Sequence, residues 1–218
     1  MKNVKYSLAI FDMDGTILNT LEDLHDSVNY ILGLYEFPKV TINDTRNNVG
    51  NGVRLLLKRS APEWVDESTL DKMFEDFSAY YRKHSDIKTR PYNGIADTIR
   101  ELRAAGVKTA VVSNKLDSAV QDLVVRYFYG LFDYALGEVE GIARKPEPDM
   151  VYRTLDELKI DKTEAVYIGD SDVDIETAFN SGLDCIAVTW GFRDRDLLIK
   201  KGASAFADTP EDLTKYII

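Results

Sequence analysis

The chain has 218 residues, 44% of them apolar, and its 37 acidic against 27 basic residues give a formal charge of −10. That length suits one large α/β domain or a domain with an insertion, and the apolar content is enough for a full core. So acidic a chain argues against gripping nucleic acid or an anionic membrane, both of which need clustered Lys and Arg. The single cysteine, Cys185, excludes an internal disulfide.

In chain order, the first element is an apolar run over residues 6–11, read as a buried strand. It ends in Phe11-Asp12-Met13-Asp14-Gly15-Thr16. Leu21, Leu24, Val28, Ile31 and Leu32 then recur at helical spacing, and Gly33 marks that helix's end. Pro38 breaks the chain, and Gly50-Asn51-Gly52 punctuates it again. A helix follows over about 67–84, with Leu70, Phe74, Phe77 and Tyr81 on one face.

Beyond Pro91 and Gly94 the pattern changes. Helices at 95–105, 117–128, 148–158, 172–181, 194–201 and from 209 alternate with strands at 108–112, 134–136, 165–168, 185–188 and 205–207. Such alternation predicts a mostly parallel, Rossmann-like α/β sheet with helices on both faces. The first two strands lie about 97 residues apart, whereas a crossover needs about a dozen. The excess reads as an all-helical cap domain inserted after the first strand. The expected division is a core of residues 1–17 and 88–218 with a cap of 18–87. Rooted there, the insertion would overhang the strand ends as a lid that excludes water.

Cys185 sits in an apolar run and reads as a core residue. No apolar run approaches the ~18 residues of a membrane span. Lys2 and Lys5 precede too short an apolar stretch for a signal peptide. A reducing, cytoplasmic setting is expected, with no nucleic-acid or membrane partner.

Chemistry concentrates where strands end. In open α/β sheets, ligands bind at the carboxyl edge. Asp12 and Asp14 sit there, two residues apart. One carboxylate can attack, the other can handle a proton, and together they can hold a hard cation. Ser113-Asn114 ends the next strand. Arg144-Lys145-Pro146-Glu147-Pro148 puts a lysine in a loop before a helix. Gly169-Asp170-Ser171-Asp172-Val173-Asp174 ends another strand in acids. Taken singly, each has a plain alternative: an acidic turn, a helix cap at Ser171 or Asp172, a solvated lysine.

In order and spacing, these four segments resemble the motifs of the haloacid dehalogenase superfamily of phosphotransferases, over nearly the whole chain. The insertion resembles that superfamily's C1-type cap. Val49-Gly50-Asn51-Gly52-Val53, Lys145-Pro146-Glu147-Pro148-Asp149 and Val188-Thr189-Trp190-Gly191 look most like phosphoglycolate-phosphatase-like members. The resemblance implies Asp12 as nucleophile, forming an aspartyl-phosphate, and Asp14 as proton donor and acceptor. It implies a magnesium ion on Asp12, the Asp14 carbonyl and Asp170, with Asp174 orienting the metal's waters or Lys145. Ser113, Asn114 and Lys145 would bind the phosphoryl group. Gly52 and Arg54 are candidates for substrate contact from the cap, although a surface arginine is the equal alternative for Arg54.

The expected activity is a magnesium-dependent phosphomonoester hydrolase for a small phosphorylated metabolite such as phosphoglycolate, working as a monomer or homodimer. The alternatives are a β-phosphoglucomutase-like sugar phosphomutase, a pyrophosphatase or 5′-nucleotidase of the same superfamily, and a phospho-accepting signalling module.

Overall fold

The computed structural model describes residues 4–218, and Lys2 lies outside them. The chain forms two compact units, one built from the segment up to Leu18 with Pro91–Ile218, the other from Asn19–Arg90. In chain order, β1 (Leu8–Phe11) leads to β2 (Leu18–Asn19), where the chain passes into the second unit. That unit carries α1 (Leu21–Leu34), α2 (Ile42–Asn48), α3 (Val53–Ser60) and α4 (Glu67–His84). The return is through β3 (Arg90–Pro91), which pairs with β2.

The second unit packs α1 on α4, burying Leu24, Val28, Ile31 and Leu32 with Leu70, Met73, Phe77 and Tyr81. Buried Asp23 on α1 accepts hydrogen bonds from the backbone N–H groups of Lys88 and Thr89 and from the Thr89 hydroxyl. The unit's last residues are thereby pinned to its first helix. Helix α2 has little apolar periodicity to announce it. A capping box starts it: Thr41 Oγ1 accepts from the Asp44 N–H while Asp44 accepts from the Thr41 N–H.

The remaining elements alternate. They are α5 (Ile95–Ala104), β4 (Lys108–Leu116), α6 (Asp117–Phe128), β5 (Tyr134–Glu138), α7 (Asp149–Leu158), β6 (Ala165–Gly169), α8 (Asp172–Ser181), β7 (Asp184–Val188), α9 (Arg195–Lys200), β8 (Ala205–Ala207) and α10 (Asp212–Ile217). The strands form one six-stranded parallel sheet in the order β5-β4-β1-β6-β7-β8. Alternate residues of β1 serve different cores. Ala9 and Phe11 join Ile95, Ile99, Leu102, Val120, Leu123, Leu213 and Ile217 on one face. Leu8 and Ile10 join Met150, Val151, Leu155 and Ala178 on the other. All four β1 side chains are fully buried, as a central parallel strand requires.

The register decides what the sheet can present. Phe11 lies opposite Val111 of β4 and Ile168 of β6. Residues 12, 112–115 and 169–170 therefore emerge side by side. Strand β4 runs past the expected end at 112 to Leu116, with a register shift against β5 between Val112 and Leu116. The polar Ser113-Asn114-Lys115 run stays extended, and the Asn114 amide fastens it to the next loop. Asn114 donates to the Lys145 carbonyl at 2.9 Å and accepts from the Lys145 N–H at 2.8 Å.

Candidate active site

At the end of β1 the Asp12 N–H donates to the Ile168 carbonyl at 2.9 Å. That bond holds the first carboxylate against the tip of β6. The chain then turns sharply, with Gly15 at φ +89° and its N–H on the Leu18 carbonyl at 2.8 Å. A side chain at Gly15 would place its Cβ 2.4 Å from an Asp170 carboxylate oxygen. Conformation and space both call for glycine here.

Lys145 reaches this point from the loop before α7. Its Nζ donates to Asp12 Oδ1 at 2.8 Å, to Asp174 Oδ1 at 2.8 Å and to the Tyr167 hydroxyl at 3.1 Å. Asp174 has a second task at the start of α8, where Ser171 is the N-cap in a capping box. Asp174 Oδ2 accepts from the Ser171 N–H at 3.0 Å and from its hydroxyl at 2.6 Å. Asp174 thus takes part both in the capping box that starts α8, with Ser171 as N-cap, and in the charged cluster around Lys145. Asp170 accepts from the Phe192 N–H at 2.6 Å and from Thr16 Oγ1 at 3.1 Å. Gly191 leaves room beside it, since a Cβ there would lie 2.3 Å from Asp170 Cβ.

Asp12, Asp170 and Asp174 each offer a carboxylate oxygen, and these oxygens lie within 4.8 Å of one another in a buried cluster. Three buried carboxylates crowd together, and one ammonium bridges two of them, Asp12 and Asp174. The electrostatic result is a bias toward protonation at Asp12 and Asp170. Burial, with Asp174 adding to it, pushes the Asp12 carboxyl up to about 7 against the pull of Lys145. Burial and the charges of Asp174 and Asp12 likewise hold Asp170 well above the ordinary carboxylate range. Burial alone would lower the Lys145 ammonium, but Asp12 and Asp174 outweigh it and hold it charged. An all-oxygen, net-negative, buried donor set fits a hard divalent cation, which would relieve the repulsion.

The remaining candidates fall in two places. Asp14 lies beside the cluster. Ser113 is buried at the end of β4, with its Oγ accepting from the Lys115 N–H at 3.3 Å. Gly52 and Arg54 belong to the other unit. There Gly52 is the N-cap of α3 at φ +82°, and Arg54 pairs with Glu67 and Asp71, both at 2.7 Å. Cys185 is half-buried among apolar neighbours, and burial pushes its thiol up to about 12, far from a nucleophile.

Residues that motif reading passed over also converge here. Lys115 Nζ donates to both Asp14 oxygens, at 2.9 and 3.2 Å. The Tyr167 hydroxyl also lies 3.2 Å from the Val112 carbonyl. The two-residue repeat that puts Ser113 and Lys115 on one side of β4 was the available signal for Lys115. Tyr167 looked like one more core residue of an apolar strand.

A parallel α/β sheet with a lysine-bridged acidic cluster at its carboxyl edge defines a phosphoryl-handling hydrolase class. The family model for haloacid dehalogenase-like hydrolases matches residues 9–188, and the chain belongs to that family. A solved structure from Lactobacillus delbrueckii subsp. bulgaricus, provisionally named a phosphoglycolate phosphatase, superposes with a TM-score of 0.93 at 43% identity, covering 98% of this chain and 99% of that one. The phosphoglycolate phosphatase of Agrobacterium fabrum is 32% identical over 86% of this chain and 82% of its own length. The N-acetylmuramic acid 6-phosphate phosphatase of Pseudomonas aeruginosa is 27% identical over 98% and 95%. Within its family the chain is a phosphatase of the phosphoglycolate-phosphatase-like kind. Among the described residues, no helix is long and apolar enough to cross a membrane.

Proposed function

We propose that this phosphatase hydrolyses a small phosphomonoester through an aspartyl-phosphate on Asp12, with magnesium held by Asp12, the Asp14 carbonyl and Asp170. One observation carries the reading: Lys145 bridges Asp12 and Asp174 beside Asp170, at the tip of the central strand. Bound magnesium would neutralise charge on the transferring oxygens and on the attacking carboxylate.

The chain's own residues do the rest. An Asp12 oxygen attacks phosphorus while the bond to the leaving oxygen breaks, and that oxygen takes a proton from the Asp14 carboxyl. A water then attacks phosphorus and gives its proton to Asp14. The Asp12–phosphorus bond breaks and inorganic phosphate leaves. Lys145 offsets negative charge on Asp12 throughout, because its ammonium is fixed by two carboxylates and a phenol. The Ser113 hydroxyl would donate to phosphoryl oxygens, whereas the Asn114 side-chain amide, expected to do the same, is engaged by the Lys145 backbone through both its nitrogen and its oxygen. Asp174 holds Lys145 and so acts through it.

Phosphoglycolate leads the substrate classes, supported by the named activity of the Agrobacterium relative. A sugar 6-phosphate is the second class, supported by the Pseudomonas relative. Phosphate release measured across a panel of phosphorylated carboxylates, sugars and nucleosides separates them. Steady release refutes the signalling module, and isomerised hexose phosphate without release refutes the hydrolase. Asp12→Asn is nearly isosteric and should cut turnover below about one-thousandth. A folded D12N protein that keeps its rate overturns the mechanism.

A further inference from the structure

Lys115 and Lys145 are the buried lysines among the described residues. Each faces one carboxylate of the first motif: Lys145 meets Asp12 and Lys115 meets Asp14. The Lys115 contact is two-pronged, at 2.9 and 3.2 Å to the two oxygens, and its side chain is 3% exposed against 18% for Asp14. A carboxylate held by both oxygens on one ammonium loses its rotation about Cβ–Cγ. Lys115 itself is held in the extended run of β4, where its backbone N–H donates to Ser113 Oγ at 3.3 Å. Asp14 is thus the more exposed partner and Lys115 the more buried one.

We propose that Lys115 is a positioning residue for the proton transfers of Asp14. It does not touch substrate and does not bind the phosphoryl group. It fixes the plane and reach of the Asp14 carboxylate, so that one oxygen meets first the leaving oxygen and then the attacking water. This rests on the proton role proposed for Asp14. General acid–base groups contribute about 10²–10⁴-fold, and loosening one forfeits a share of that.

The test separates steps that need Asp14 from those that do not. p-Nitrophenolate leaves without a proton, whereas an alkoxide needs one, and hydrolysis of the phosphoenzyme needs Asp14 as base with either substrate. Lys115→Met should therefore give a burst of one p-nitrophenolate per active site. Turnover after the burst, and turnover of an alkyl phosphate, should each fall at least ~10-fold. In an Asp14→Asn background, K115M should cause no further loss, because the residue acts through Asp14 alone. Lys115→Arg keeps the cation and should restore most of the alkyl-phosphate rate. Equal losses in burst and turnover, an undiminished K115M penalty on top of D14N, or a K115R as defective as K115M would each overturn the inference. Asp12→Asn in the same assay should show neither burst nor turnover. If D12N keeps turnover, the nucleophile assignment fails instead, so the two failures are distinguishable.

Discussion

Lys145 Nζ stands 2.8 Å from Asp12 Oδ1 across 133 positions of sequence. The pair is buried, so breaking it leaves carboxylates without a counter-charge. Lys145→Met should cost about 3–5 kcal/mol in metal-free protein, read as a lower urea midpoint, and should also lower turnover. An unchanged midpoint would mean that Asp12 and Asp174 do not depend on this ammonium.

The Asp12 carboxyl, raised by burial from the usual 3.8 to about 7, binds its proton more tightly when folded. Between about pH 4 and 7 the folded state retains a proton that the unfolded state has released. Stability from this group is thus present at low pH and is lost as pH rises through 7. With EDTA present, thermal melts should find Asp12→Asn gaining on the parent protein as pH climbs from 4 to 7, then levelling off. A difference that is flat with pH would refute the assignment.

Metal binding should appear as stabilisation before any activity is measured. Magnesium at about 100 times its dissociation constant should add about 2.7 kcal/mol to folding and raise the melting temperature. EDTA should reverse this and stop turnover. Asp170→Asn removes one of the crowded carboxylates, so it should lose the magnesium shift without losing metal-free stability. A full magnesium shift in D170N would remove Asp170 from the metal.

Gly15→Ala combines a left-handed backbone with a Cβ placed 2.4 Å from an Asp170 oxygen. We expect a loss of about 1–3 kcal/mol in a denaturant titration, with a weaker magnesium shift because Asp170 is displaced. Wild-type melting and wild-type metal response in G15A would contradict the geometry.

Much of the fold is legible in sequence because its strands are buried on both faces. Unbroken apolar runs such as Leu8–Phe11 and 165–168 stand out, and their alternation with amphipathic helices dictates a parallel sheet. The gathering of Asp12, Lys145, Asp170 and Asp174 is legible for the same reason, since parallel strands bring their carboxyl ends to one edge. Helix α2 is illegible by periodicity, because its Ile42-Asn43-Asp44-Thr45-Arg46-Asn47-Asn48 run is mostly polar and is started by a side-chain cap. The extension of β4 is hidden as well. Ser113-Asn114-Lys115 has the composition of a turn, and contacts between distant segments, the Asn114 clamp on the Lys145 backbone and the pairing of Leu116 with Glu138, keep it extended. Lys115 draws no reading from the sequence, because its contact with Asp14 joins residues 101 positions apart.

The placement of β1 between β4 and β6 has a consequence for how the protein is made. As the ribosome releases the chain, the four residues of β1 emerge before their neighbours at 108–111 and 165–168, which arrive much later. Until then a wholly apolar ribbon has both edges open, inviting association with other nascent chains. No partly synthesised product shorter than about Phe192 can hold Asp170 as the finished protein does. Burying the nucleophile's strand at the centre of the sheet delays assembly of the site until β6 and the Phe192 segment have been made, and chaperone dependence should track that interval.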